Sequence, residues 1–252
     1  MDTSTRASAS NLQTVVDVII APKAAFERLK IQPAWGWAFL ITIALGAIGI
    51  YLETPASRHI SVQMVQHLIA TNPNVAGMSS AQKSRMLANA ANPSPAAQAF
   101  SYFNSILLPL IASLFNALIL LLGSAVGRGK ADFTRLWSGS MNIAVPTIGL
   151  AALVLGIVAM VRGPDSFNSF GDMFGAVPNL QYVVPGSRGF LGDFLQALNV
   201  FALWGFGLNV VMMRVLAGIR GAVAWIFPGA ITVAGAILLA SFMSMLAAFV
   251  GQ

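Results

Sequence analysis

The residues that could carry chemistry are few in this sequence, and their spacing does not suit it. The two histidines, His59 and His67, are eight positions apart, which is about 12 Å along a helix and too far for both to hold one metal ion. The chain has no His-Glu-x-x-His motif and no cysteine, which excludes thiolate metal sites, disulfides and a cysteine nucleophile. We therefore predict no metal site and no cofactor.

Two short segments have a superficial likeness to functional motifs. The segment 123–130, Gly-Ser-Ala-Val-Gly-Arg-Gly-Lys, differs from a phosphate-binding loop because Ser124 replaces the first glycine and Ala131 follows the lysine. The segment 137–140, Trp-Ser-Gly-Ser, has serines like those of intramembrane proteases, but no long apolar segment contains a histidine that could activate them. We therefore predict no catalytic residue and expect that the protein is not an enzyme.

Long apolar segments make up much of the chain, and the helices that they form determine where the polar residues lie. Hydrophobic residues make up 57% of the 252 residues and charged residues 9%, whereas a soluble domain has roughly 25% charged residues. Such a composition is typical of an all-α, polytopic membrane protein with a bundle of five transmembrane helices. The spans are predicted at about 34–53, 103–126, 141–161, 194–213 and 223–249.

The segments outside these spans differ in character. Residues 1–11 are small and polar and are predicted to form a disordered tail, which leaves 12–252 as the membrane domain. An N-terminal interfacial helix is predicted within 12–30, where Pro22 suits a first helical turn. The long connection after the first span is predicted to form an outer helical hairpin, with a first arm over 60–70.

The basic residues predict the orientation of the chain. Nine of the 14 fall in the N-terminal segment and the second and fourth connections, which are short. The positive-inside rule places these segments in the cytoplasm, so the N terminus lies inside and the C terminus outside. The net charge of +6 follows from the same rule, and we expect no nucleic acid as a partner. The nine residues are Arg6, Lys23, Arg28, Lys30, Arg128, Lys130, Arg135, Arg214 and Arg220.

Five residues on the predicted cytoplasmic side are candidates for contact with a partner. Lys23, Phe26 and Arg28 lie on an amphipathic basic helix that could rest on the anionic inner leaflet or dock a cytoplasmic partner. Lys130 and Arg135 lie in the second connection.

Three amides within the predicted spans form a second group of candidates. Asn116, Asn142 and Asn209 stand in otherwise apolar sequence, and polar side chains in lipid should face the interior of the bundle. Two interpretations stay open at this stage: the amides join helices by hydrogen bonds, or they line a pathway for a solute.

Several segments of the chain follow one another in an order that is typical of a known protein family. They are 16–22 (VDVIIAP) with 25–29 (AFERL), 127–133 (GRGKADF) with Leu136-Trp137 and Pro146, and 198–204 (LNVFALW). Over about residues 14–245 this ordered set resembles the Yip1 domain family in its bacterial form. The aspartate-leucine-tyrosine-glycine motif of eukaryotic members is absent, so binding of small GTPases is not expected.

The resemblance implies a five-helix integral membrane protein with a cytoplasmic N terminus, placed here in a bacterial inner (cytoplasmic) membrane. It further implies links to vesicle traffic in eukaryotic relatives and to ATP-binding-cassette export complexes in some bacterial ones. The first functional hypothesis is therefore a non-enzymatic scaffold or accessory subunit that contacts the bilayer, other membrane proteins or a second copy of itself. The alternatives are a transporter or channel for a small neutral or lipophilic solute and a membrane-shaping or trafficking protein.

Overall fold

The computed structural model describes residues 3–250, and the side chains of 11–75 and 77–246 within them. This part of the chain contains helices and no strand; an isolated bridge joins Asn179 and Asn199. The helices are α1 (Thr3–Ile20), α2 (Pro22–Ile31), α3 (Gly36–Thr71), α4 (Pro73–Ala76), α5 (Ser80–Ala91), α6 (Pro95–Val126), α7 (Phe133–Ala144), α8 (Ala151–Arg162), α9 (Phe170–Phe174), α10 (Gly189–Ala197), α11 (Val200–Val215) and α12 (Val223–Val250).

Two further elements are short turns of 3₁₀ helix, and one is a π-helical turn that joins α7 to α8. The helices form two compact units. Unit 1 comprises Met1–Gly46, Ser105–Ala151 and Val200–Gly235, and unit 2 comprises Ala47–Asn104, Ala152–Asn199 and Ala236–Gln252.

Four helical stretches of the described chain are long and apolar enough to cross a membrane. They are Gly36–Thr71, Pro95–Val126, Phe133–Arg162 and Val223–Leu246. Four of the five predicted spans therefore coincide with long apolar helices, although their ends differ from the prediction. The all-α membrane architecture is confirmed.

The first of these helices is much longer than the predicted span 34–53. Helix α3 has 36 residues and continues through Pro55 into the segment 60–70, which the sequence had placed in a separate hairpin. At 1.5 Å per residue it measures about 54 Å, well beyond the hydrocarbon core of about 30 Å. Residues 60–70 are helical as predicted, but they continue the first long helix instead of forming a separate first arm of a hairpin.

Two other helices begin earlier in the chain than the spans predicted for them. Helix α6 starts at Pro95 rather than near 103, so that Pro109 lies inside the helix, where Ser113 Oγ donates to its carbonyl at 2.6 Å. The predicted span 141–161 is the second part of Phe133–Arg162. In that stretch Pro146 lies in the π-helical turn Val145–Leu150, which accommodates the missing N–H without ending the helix.

The predicted span 194–213 is interrupted. Helix α10 ends at Ala197 and α11 begins at Val200. Backbone bonding at the break includes Leu180 N–H donating to the Leu198 carbonyl at 3.2 Å. Helix α11 has 16 residues, or about 24 Å, so the structure leaves the count of five spans open.

The N-terminal segment of unit 1 is helical where a disordered tail was predicted for 1–11. Helix α1 begins at Thr3; the first two residues lie outside the described ones. The alanines of this segment favour helix, and the packed turns that follow provide a nucleus for it. Ala21 is not helical (φ −144°, ψ 60°), and Pro22 opens α2 as predicted.

Unit 2 has an apolar core with an unusually close contact between α3 and α8. A Cβ atom built on Gly156 would lie 2.9 Å from Gly49 Cα, and one built on Gly49 would lie 2.5 Å from the carbonyl carbon of Ala152. Only glycine permits two helix backbones to approach in this way. Beside this contact, Ala56 and Ile60 of α3 pack with Leu155 of α8.

We expect the substitution Gly49→Ala to lower the melting temperature of the purified protein, because the new methyl group collides with the backbone of α8. The matched control is Gly46→Ala on the same helix, where a Cβ meets no atom within 4 Å. Replacing glycine by alanine in a helix otherwise stabilises by about 1 kcal/mol, so the control should be neutral or stabilising. Equal melting temperatures for the two variants would contradict the close contact.

Candidate functional site

Helices α1 and α2 pack on α7 and α11 within unit 1. The buried side of the pair carries Val18, Phe26 and Leu29, which join a core cluster that also contains Leu136 and Met212. Burial of large side chains of this kind contributes about 1.5–3 kcal/mol each. The two N-terminal helices are therefore an integral layer of unit 1, which we call the N-terminal cap (residues 11–31).

An ion pair holds the two helices of the cap together. Arg28 Nη2 on α2 pairs with Asp17 Oδ2 on α1, and the side chains are 31% and 15% exposed. A pair that is partly withdrawn from water is screened less by salt than a surface pair. The charge of Arg28, predicted as a contact for a partner, is therefore directed to Asp17 inside the cap.

The other two candidates on α2 have opposite environments. Phe26 is completely buried in the core on the side of α2 that meets α7 and α11. It therefore does not lie on the partner or lipid surface for which it was a candidate. Lys23 is exposed and lies 3.9 Å from Glu27 one turn later. Exposed pairs of this type contribute little to stability, which leaves Lys23 accessible.

Lys130 and Arg135 lie near the start of α7. Lys130 is exposed, and its backbone N–H donates to the Ala217 carbonyl at 3.0 Å. Asp132 caps α7 by accepting from the backbone N–H of Arg135 at 2.9 Å, and the Arg135 guanidinium lies 3.4 Å from the same carboxylate. The connection before α7 is thus fixed by backbone bonds, and Lys130 keeps an accessible charge.

Two of the three candidate amides meet in the interior of unit 1. Asn116 Nδ2 on α6 donates to Asn209 Oδ1 on α11 at 2.9 Å and to Ser140 Oγ on α7 at 2.8 Å. Asn209 and Ser140 are 6% and 3% exposed. Asn116 Oδ1 finds no partner among the described residues. The amide thus joins three helices by hydrogen bonds.

The third amide, Asn142, lies apart from this cluster and links α7 to the segment that precedes α3. Asn142 Nδ2 donates to the Ala34 carbonyl at 2.9 Å and to the Ser138 carbonyl at 2.8 Å. Next to it, the rings of Trp35 and Trp137 stack with their centroids 4.9 Å apart. Together these contacts fix the segment before α3 against α7, which agrees with the interpretation that the amides join helices.

An apolar face on the outside of the cap was also missed. Leu12, Val16 and Ile20 recur every fourth residue of α1 and are exposed, Ile20 at 72%, while Val15 and Val18 on the other side are buried. Since helices of this period place such residues in one row, α1 is apolar on two faces. The sequence predicted an interfacial helix within 12–30, but it did not predict that the apolar residues of this helix divide into two faces.

The sequence is similar to that of a protein of Bacillus subtilis (strain 168) named "Membrane protein YknW". The two are 27% identical over 224 residues, which cover 87% of this chain and 85% of that protein. No protein-family model matches the chain, and no solved structure matches it. The likeness and the long apolar helices together establish an integral, multi-pass membrane protein.

If the Asn116–Asn209 bond joins helices, its removal should cost stability. We expect Asn116→Ala and Asn209→Ala each to lower the free energy of unfolding, and the double variant to show a coupling of about 0.6–1.7 kcal/mol in a double-mutant cycle. The control is Asn104→Ala, an exposed amide on the same helix. Fully additive effects would show that the two amides do not interact.

Proposed function

We propose that this protein is a non-enzymatic accessory subunit of a membrane export complex, which it contacts through the N-terminal cap. The observation that carries the proposal is the exposed row Leu12, Val16 and Ile20 on α1, with Ile31 at the end of α2 86% exposed. These side chains lie outside the four helices that are long enough to cross a membrane. An apolar patch of this kind marks an interaction surface.

The cap is suited to a protein partner because it is rigid. Its inner face is anchored by Phe26 and Leu29, and the Asp17–Arg28 pair links α1 to α2. A surface that is already ordered loses little conformational entropy on binding. Lys23 and Lys130 are exposed and add positive charge, which favours an acidic rim on the partner.

The export-complex assignment rests on the resemblance to bacterial Yip1 domain proteins, and the absence of a reactive constellation supports a role through contact. The hydrogen bonds of Asn116, Asn142 and Asn209 support the packing interpretation over a solute pathway. A membrane-shaping function is the second candidate, because the exposed row on α1 could instead insert into the inner leaflet.

Photo-crosslinking in the native host tests the accessory role. We expect a photoreactive residue at Ile20 to crosslink to a subunit of an ATP-binding-cassette exporter, identified by mass spectrometry. A probe at Tyr182, which is 65% exposed in unit 2, is the control and should give no such product. Crosslinks to lipid alone, with altered vesicle shape after reconstitution, would favour membrane shaping and contradict the accessory role.

We further propose five crossings in a bacterial inner membrane, with α11 as the fourth and the termini on opposite sides. Helix α11 is about 24 Å long, and Arg214 near its end lies over the Trp225 ring at 5.1 Å, a pairing suited to the membrane–water interface. The basic residues of the connection 214–221 support a cytoplasmic location for it.

The chain has no native cysteine, so single cysteines report the topology directly. An impermeant maleimide added to intact spheroplasts should label Arg85→Cys and Arg188→Cys but spare Lys23→Cys and Arg220→Cys until the membrane is opened. All four positions are exposed on the protein. Labelling of Arg220→Cys in intact spheroplasts would place both ends of α11 on one side and exclude five crossings.

A further inference from the structure

We propose that unit 2 contains a binding site for a small molecule that carries a primary ammonium group on an apolar chain. The site is a cavity of about 340 Å³, a size within the usual range of ligand pockets. Its apolar lining includes Ile60, Met64 and Met243, and its polar lining includes Gln63, His67 and Asp193. The site does not depend on the proposed accessory function.

Helix α3 supplies one wall of the cavity. Ile60, Gln63, Met64 and His67 follow the spacing i, i+3, i+4, i+7, so they lie on one face of the helix. This is the part of α3 that extends past the predicted span 34–53, and it alternates apolar and polar groups along the cavity. The lining can therefore contact both parts of an amphiphile.

The polar residues of the lining include hydrogen-bond acceptors. Asp193 Oδ2 already accepts from Ser244 Oγ at 3.1 Å, which leaves further lone pairs on the carboxylate. His67 Nε2 is buried and has no hydrogen-bond partner among the described residues. In the tautomer with its proton on Nδ1, this atom is an acceptor.

A short relay makes Gln63 an acceptor as well. Gln63 Nε2 lies 2.8 Å from His59 Nε2, and His59 Nδ1 lies 3.4 Å from Asp165 Oδ1. A His59 ring with its proton on Nδ1 donates towards Asp165 and accepts from the Gln63 amide nitrogen. The amide oxygen of Gln63 is then the atom left for a ligand.

These acceptors select for an ammonium group. A primary ammonium has three donors and no acceptor, and the described lining contains the Asp193 carboxylate but no lysine or arginine. Met64 and Met243 add flexible, polarisable surface for an apolar chain. A neutral alcohol of equal length would lack the charge-assisted bond, and a fatty acid would meet the repulsion of Asp193.

Calorimetric titration of the full chain in phosphatidylcholine nanodiscs tests the site. We expect octylammonium to bind the protein beyond its partition into empty nanodiscs, and octanol and octanoate to bind at least about tenfold more weakly. Asp193→Asn should weaken octylammonium binding about tenfold without changing octanol. Binding equal to that of empty nanodiscs, or equal in wild type and Asp193→Asn, would overturn the proposal.

Two matched variants separate a ligand contact from a structural role of Asp193. Ser244→Ala removes the hydrogen bond to α12 but keeps the carboxylate, so octylammonium binding should persist. Loss of octylammonium binding in this variant would show that Asp193 acts through its bond to Ser244 and not by contact with the ligand. Glu27→Gln removes an exposed charge in unit 1 and should leave binding unchanged. A melting temperature for each variant verifies folding.

The ammonium group could belong to a soluble amine or to a lipid headgroup, and the nanodisc composition distinguishes these sources. If phosphatidylethanolamine occupies the cavity, adding it to the nanodiscs should weaken octylammonium binding severalfold in wild type and leave Asp193→Asn unaffected. If a soluble amine is the ligand, both lipids should give the same affinity. Either result supports the site when wild type binds octylammonium more tightly than Asp193→Asn does.

Discussion

The absence of water in the hydrocarbon core is the constraint on which this structure depends. A backbone or side-chain polar group in that region must find its partner inside the protein, because lipid offers none. The long apolar helices satisfy this condition for the backbone. The amide of Asn116 satisfies it by binding Ser140 and Asn209. The same condition explains why few polar residues enter the spans at all.

Close backbone contact and hydrogen-bonded interior amides are two ways to hold helices together in a membrane. Since lipid tails are as apolar as leucine, burial of leucine does not drive two helices together in a membrane, and packing and hydrogen bonds must do so. Unit 1 uses the amide cluster centred on Asn116, and unit 2 uses the approach of α3 and α8 at Gly49 and Gly156.

The sequence predicted well the features that depend on local composition, such as the apolar helices. It predicted poorly the features that depend on tertiary packing. Hydropathy identified four of the long helices, and Pro22 marked the start of α2. The extent of α3 beyond residue 53 was missed because the apolar run ends there, whereas the packing of Ala56 and Ile60 further along the helix is tertiary. Phe26 was correctly placed on an amphipathic helix, but an amphipathic pattern does not reveal whether the apolar face meets lipid or protein.

The candidate sites show the same difference between what local sequence predicts and what tertiary structure decides. The amides were recognisable because a polar residue in an apolar span is conspicuous, yet their partners, 24 and 93 positions away, could not be read from spacing. His67 and Asp193 attracted no functional interpretation, because they are 126 positions apart in sequence and only the fold brings both to one cavity. The acceptors that the fold gathers around this cavity are suited to holding an ammonium group.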